Sequence, residues 1–169
     1  MAVPLVHPRV IEALARWSIE HEVIKCHPQY ANTADFCAVY GFPLETSGNA
    51  ILVTSTRGPK RYALGVVQAT HRLDVNHHMR RLMGVARASF ARAEETTELT
   101  GMAIGGVTPF GLPPDCPIYV DESLGDLEYV ILGAGTRLAK IKLRPAELTK
   151  IPNASFVVGL GHEIGKGEE

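Results

Sequence analysis

The residues with the clearest capacity for chemistry form a stretch rich in glycine and proline in the second half of the chain. Residues 100–113 read Thr-Gly-Met-Ala-Ile-Gly-Gly-Val-Thr-Pro-Phe-Gly-Leu-Pro, so that four glycines and two prolines interrupt apolar residues. Glycine lets another molecule approach the main chain closely, whereas proline fixes φ and removes a donor. The remaining amides therefore point in defined directions, and those around Gly105 and Gly106 can bind a carbonyl oxygen or an oxyanion.

Two further segments follow this stretch, residues 117–121 (Pro-Ile-Tyr-Val-Asp) and residues 133–137 (Gly-Ala-Gly-Thr-Arg). In this order the three segments resemble the YbaK and prolyl-tRNA synthetase associated domain family of aminoacyl-tRNA editing proteins, over residues 23–151. The resemblance implies an α/β (α+β) fold, in which a mixed, barrel-like β-sheet is surrounded by helices.

Members of this family hydrolyse the ester that joins a wrong amino acid to the 3′-terminal adenosine of tRNA. The transition state concentrates negative charge on the former carbonyl oxygen, so donors aimed at that oxygen are the most effective groups a protein can offer. The resemblance assigns this role to the amides of Gly105 and Gly106, with the 2′-hydroxyl of the terminal ribose orienting the attacking water. Thr108 and Asp121 are expected to assist, although Asp121 can equally hold a loop through backbone amides.

The resemblance also implies a pocket that admits a small amino acid and excludes larger ones. The residues expected to line it are Ile51, Met102, Ile104, Val107 and Pro109, with Gly133, Gly135 and Thr136 on the opposite wall. Steric exclusion discriminates well where attraction to one methylene provides only about 1 to 3 kcal/mol. The glycines have a second interpretation, a tight loop between packed strands.

One position departs from the family pattern. Family members place a lysine at the start of the strand that follows the second helix, and Asn49 stands there in this chain. Lysine supplies a fixed positive charge for the phosphate or ribose of the terminal nucleotide, whereas asparagine is a neutral donor and acceptor. We therefore expect weaker or differently arranged binding, with Arg72 either a replacement cation or an ordinary solvated arginine.

Metal and thiol chemistry find little support. His77 and His78 are adjacent and would point about 100° apart on a helix, and no partner stands at a recognised ligand spacing. No metal or cofactor is therefore expected. The three cysteines are odd in number and lack CxxC spacing, which is typical of reduced thiols in a cytoplasmic protein. No apolar run approaches the roughly 20 residues that a membrane span requires, so no membrane partner is expected.

The charges are segregated along the chain although the net charge is only −1. Residues 57–92 contain eight basic residues and one acid, whereas residues 93–128 contain eight acids and no lysine or arginine. A local basic face attracts RNA phosphates over roughly 10 Å at ordinary salt. Aminoacyl-tRNA is thus the expected partner, DNA is not expected, and a synthetase remains open as a second partner; the alternative is a solubilising surface.

Local signals predict the elements that position these residues. Helices are expected from Pro8 to near Glu22, over residues 33–40 with Gly41 as the stop, from Asp74 to Met83, and up to Gly101. Strands are expected at residues 23–26, at 86–90, at 118–120, 129–132 and 138–143, and in a hairpin of residues 50–54 and 62–69. Residues 1–152 are predicted to form one domain, followed by a partly flexible tail at residues 153–169.

The leading functional prediction is a freestanding aminoacyl-tRNA deacylase that acts on small amino acids. A binding module of the same fold with reduced catalysis, recognising an amino acid, a nucleotide or a protein, is the alternative that Asn49 favours. A hydrolase of another small ester or thioester is the third.

Overall fold

The computed structural model describes residues 4–164, in which helices alternate with short strands. The helices are α1 (Pro8–Arg16), α2 (Thr33–Tyr40), α3 (Arg80–Met83) and α4 (Ala93–Thr100). The strands are β1 (Glu22–Lys25), β2 (Gly48–Ser55), β3 (Tyr62–Gln68), β4 (His71–Leu73), β5 (Ala88–Phe90), β6 (Ile118–Asp121), β7 (Val130–Gly133), β8 (Ala139–Leu143), β9 (Ala154–Val157) and β10 (Gly161–Glu163). No helix among these residues is both long and apolar enough to span a membrane.

Most helix ends follow from local sequence. α2 and α4 end where predicted, at Gly41 and Gly101, whose φ angles of 81° and 72° lie in the left-handed region that favours glycine. Asp74 accepts a hydrogen bond from the amide of His77 at the start of a π-helical segment, Val75–Met79, which continues directly into α3. α1 is shorter than predicted, because Ser18 adopts a φ of 50° and turns the chain towards β1.

The strands form three sheets, one of mixed direction and two antiparallel. A five-stranded sheet has the order β5-β2-β3-β6-β9, in which β2 and β3 form the predicted antiparallel hairpin and β6 runs parallel to both β3 and β9. A second, antiparallel sheet has the order β1-β8-β7, and β4 pairs with β10 in a third. The mixed α+β class is confirmed. Within the described residues the sheets do not close into one barrel, but a parallel bridge between Ser47 and Ile131 joins the two larger ones.

The main core lies between the two larger sheets and α1. Leu64 and Val66 from the first sheet, Leu132 and Ile141 from the second, and Val10 from α1 belong to one buried cluster. The start of β2 and the loop that follows α4 both border this cluster, so the core fixes the position of the glycine-rich segment relative to β2.

The predicted flexible tail differs from the structure over residues 154–163. β9 extends the five-stranded sheet beside β6, and β10 pairs with β4. Leu160 between them is fully buried, and the amide of Gly161 donates to Oδ2 of Asp121 at 3.2 Å. Of the glycines in this segment, Gly159 lies in the turn between β9 and β10 with a φ of 72°, and Gly161 is the first residue of β10. Residues 165–169 of the predicted tail lie outside the described residues.

Candidate active site

A cavity of about 300 Å³ opens where β2 meets β7 and β8. Its walls come from the first residue of α2, from β2, from the segment around α4, from the glycine-rich loop, and from β7 and β8. The predicted site residues that line it are Asn49, Ile51, Ile104, Gly105, Val107 and Gly133. Three other depressions have similar volumes, about 310 to 380 Å³, so the glycine-rich loop rather than size distinguishes this one.

The amide of Gly106 is not available to a ligand. It donates to the carbonyl oxygen of Ala103 at 2.9 Å, and its own carbonyl oxygen accepts from the amide of Gly135 at 2.7 Å. A Cβ at Gly106 would lie 2.5 Å from the carbonyl oxygen of Thr136, and one at Gly133 would lie 2.5 Å from that of Gly106. The tight-loop interpretation thus describes Gly106, Gly133 and Gly135, and the expectation of two free glycine amides is corrected to one.

Gly105 presents the remaining amide. Its φ of 92° lies in the left-handed region, and a Cβ there would collide with the guanidinium of Arg137. Gly105 lines the cavity, and its amide has no hydrogen-bond acceptor among residues 4–164. Because glycine has no side chain, the surface it contributes to the cavity is main chain. The cavity wall therefore offers one main-chain donor, the amide of Gly105, to a carbonyl oxygen.

Asn49 contributes a neutral group to the same cavity. Its Oδ1 accepts a hydrogen bond from the hydroxyl of Thr33 at 2.8 Å, so its NH₂ group remains as the donor. Thr33 is the first residue of α2, and it too lines the cavity.

Lys140 is the cation of this cavity, and the sequence reasoning missed it. It is buried on β8, and its Nζ donates to the carbonyl oxygens of Ala31 at 2.6 Å and Gly105 at 3.2 Å. Burial lowers the pKa of the Lys140 ammonium, and Arg137 lowers it further, whereas the thiols of Cys26 and Cys37 oppose the shift. Lysines alternate along β8 in the run Ala-Lys-Ile-Lys-Leu, a pattern typical of a solvated strand face. The signal that could have located Lys140 is the register of the β7–β8 pair, which places Lys140 opposite Gly133.

Several predicted site residues do not line this cavity. Arg72 is exposed on β4 and borders a separate depression with Phe90 and His162, which corrects its expected role as the replacement cation. Asp121 is buried and holds the Gly161 amide, in agreement with its alternative, structural interpretation. The remaining predicted site residues are also outside the lining and are either buried or bonded to main chain: Met102, Thr108, Pro109, Gly135 and Thr136.

The sequence matches the model of a family described as the aminoacyl-tRNA editing domain over residues 27–151. It is 30% identical to YwhH of Bacillus subtilis (strain 168), an uncharacterised protein, over 135 residues that make up 80% of this chain and 83% of YwhH.

Two solved structures have a similar fold. The hypothetical protein APE2540 is 26% identical, with a TM-score of 0.80 over 91% of this chain and 99% of that protein. A protein proposed as a trans-editing enzyme for prolyl-tRNA synthetase is 27% identical, with a TM-score of 0.79 over 94% and 98% of the two chains.

Proposed function

Because the chain belongs to the aminoacyl-tRNA editing domain family, we propose that it hydrolyses the ester of a mischarged tRNA that carries a small amino acid. The observation that carries this proposal is the amide of Gly105, which has no acceptor within the described part of the chain and lies at the wall of a cavity of about 300 Å³. A hydrogen bond to the acyl oxygen strengthens as negative charge develops there, which lowers the barrier to attack by water.

The remaining lining suits a small acyl group. The side chains of Ile51, Ile104 and Val107 provide apolar walls, and the NH₂ group of Asn49 provides a neutral donor for the ester or the ribose. Among residues 4–164, no serine or cysteine lines the cavity. We assign the orientation of the attacking water to the substrate itself, through the 2′-hydroxyl of the terminal ribose. Size exclusion by the apolar walls sets the selectivity.

The basic residues between positions 57 and 92 support an RNA partner. Arg57, Arg72, Arg81, Arg87 and Arg92 are all exposed. Such a surface attracts the phosphates of tRNA, and affinity should fall steeply as salt concentration rises, because bound counterions are released. This surface supports an aminoacyl-tRNA as the substrate. The name of one structural relative, proposed as a trans-editing enzyme for prolyl-tRNA synthetase, is the support for a synthetase as a second partner, and the cytoplasm is the proposed location.

A panel of tRNAs charged with single amino acids tests the proposal. One structural relative is proposed to act with prolyl-tRNA synthetase, so proline tRNA charged with amino acids smaller than proline is the first substrate to try. Selective release of one small amino acid supports the proposal. Release from small esters but from no tRNA points instead to a general esterase.

A binding module without turnover is the second candidate, and one observation favours it. Within residues 4–164 the amide of Gly106 is bonded and that of Gly105 is not, so the stabilisation available to an oxyanion is smaller than two donors would provide. Saturable binding of a non-hydrolysable aminoacyl-adenosine, without release of any amino acid in the panel, would establish this alternative.

A further inference from the structure

Two cations contact the glycine-rich loop from the side of β8. Arg137 donates through Nη1 to the carbonyl oxygen of Ile104 at 3.1 Å and through Nη2 to that of Pro28 at 3.0 Å. Lys140 donates to the carbonyl oxygens of Gly105 and Ala31. Both side chains therefore connect the loop to the segment that leads into α2.

The carbonyls that they hold belong to consecutive peptide groups on either side of Gly105. A trans peptide is planar, so its N–H and C=O point in opposite directions. The carbonyl of Ile104 points towards Arg137, and the N–H of Gly105 in the same peptide group consequently points away from the guanidinium. In the next peptide group, Lys140 holds the carbonyl of Gly105 while Ala103 accepts from the N–H of Gly106.

The loop has anchors that do not involve these cations. The amide of Ala103 donates to the carbonyl oxygen of Gly135, and the amide of Gly135 donates to that of Gly106. These bonds fix the two ends of the turn, but the peptide between Ile104 and Gly105 has no main-chain partner at either end among residues 4–164. A glycine with free rotation would not hold that peptide in one orientation. Burial of the Lys140 ammonium costs solvation free energy, whereas water could donate a hydrogen bond to an exposed carbonyl without that cost.

We propose that Arg137 and Lys140 are positioning residues, which hold the peptide groups around Gly105 so that its N–H faces the cavity and donates to the acyl oxygen of the substrate. This inference rests on the proposed function. It predicts that the two side chains affect the chemical step rather than the capture of substrate.

Two substitutions with matched controls test the inference. Arg137→Met and Lys140→Met remove the contacts to the loop carbonyls, whereas Arg137→Lys keeps one donor for Ile104. Lys142→Met and Arg144→Met are the controls, because Lys142 lies over the Tyr129 ring and Arg144 pairs with Glu20, and neither lines the cavity.

We expect kcat for ester hydrolysis to fall up to about 100-fold in the two test variants, the effect of a small displacement of a catalytic group, while KM changes little. Arg137→Lys should recover part of the loss, and the controls should match the wild type. An unchanged kcat in folded Arg137→Met and Lys140→Met would overturn the inference. The proposed function would still stand in that case, because it is tested by hydrolysis in the wild type. If Arg137→Met does not fold, Lys140→Met decides: a kcat equal to that of the wild type, with KM raised instead, overturns the inference.

A second measurement does not depend on turnover. Protein labelled with ¹⁵N-glycine is titrated with 3′-deoxy-3′-(alanylamino)adenosine, an amide analogue of the ester that still carries an acyl oxygen. The amide resonance of Gly105 should shift in the wild type, and the shift should be smaller in Arg137→Met. If the analogue binds and the Gly105 resonance stays in place, the inference fails; if Gly105 shifts but no ester is hydrolysed, the proposed function fails alone. Absence of any binding contradicts both.

Discussion

Thr33 donates its hydroxyl hydrogen to Oδ1 of Asn49 at 2.8 Å, which connects the start of α2 to the start of β2. The bond uses the acceptor of the asparagine amide and leaves the NH₂ group at the cavity wall. In this chain a neutral donor therefore stands where the family resemblance implies a charged lysine side chain.

Removal of this donor should weaken substrate binding. Asn49→Ala is expected to raise KM for aminoacyl-adenosine about fivefold with little change in kcat, because a typical hydrogen bond contributes about 1 kcal/mol. Thr33→Val should have a smaller effect in the same direction, since the amide is then free to rotate. Arg72→Ala is the control, because Arg72 lies outside the cavity. A KM raised by Arg72→Ala and not by Asn49→Ala would restore arginine as the ligand-binding group.

Gly106 should be intolerant of a side chain for reasons of packing. Gly106→Ala would place a Cβ 2.5 Å from the carbonyl oxygen of Thr136, whereas a Cβ at Gly125 would make an ordinary contact, 3.6 Å from the Phe156 ring. We expect Gly106→Ala to lower the free energy of unfolding by about 1 to 3 kcal/mol or more, as forced overpacking does. Urea unfolding of Gly106→Ala and of the control Gly125→Ala measures the difference. Equal values would show that the loop relaxes freely around residue 106.

Leu160 should contribute strongly to stability despite its place in the predicted flexible tail. It is fully buried, whereas Val158 two residues earlier is 71% exposed. Leu160→Ala should lower the free energy of unfolding by about 2 to 5 kcal/mol, the usual range for a leucine removed from a core. Val158→Ala, as the control, should change it little. A small effect of Leu160→Ala would mean that β9 and β10 separate readily from the rest of the fold.

Glu95 should make stability depend on acid pH. Its carboxylate accepts a hydrogen bond from the Tyr62 hydroxyl at 3.0 Å; that bond, the amide of Arg92 and the Lys60 ammonium lower the pKa of Glu95 to about 2. Because the folded-state pKa lies below the ordinary value of 4.5, the stabilisation is complete above pH 4.5 and is lost as the pH falls towards 2. The stability difference between wild type and Glu95→Gln should therefore shrink over this window in urea unfolding. Glu98→Gln, exposed on the same helix, controls for the loss of one negative charge.

Much of the fold could be predicted because its signals are local. The glycine stops of α2 and α4, the Asp74 cap and the β2–β3 hairpin each depend on residues a few positions apart. Strands β9 and β10 could not be predicted in this way. β9 pairs in parallel with β6 more than thirty residues earlier in the chain, and its short, weakly apolar sequence is stabilised by that neighbour rather than by its own preference.

The site, like the fold, could be predicted only where its signals are local in sequence. The sequence located Gly105 and Asn49 through motif order, but it could not show which of two adjacent glycine amides is already bonded within the loop. Nor could it show which cation reaches the cavity. Arg72 and Lys140 both lie on strands, and only the packing of β8 beneath the loop distinguishes the exposed arginine from the buried lysine.

The cavity is assembled from chain segments that lie between Thr33 and Lys140 and are far apart in sequence. None of them forms a binding surface alone, so occupancy of the cavity is thermodynamically linked to folding of the whole described chain. A compound that fills it at 100 times its Kd would add about 2.7 kcal/mol to the free energy of unfolding by mass action. Thermal shift measurements on a library of nucleosides and amino acid amides can therefore identify the natural ligand class before any reaction is assumed.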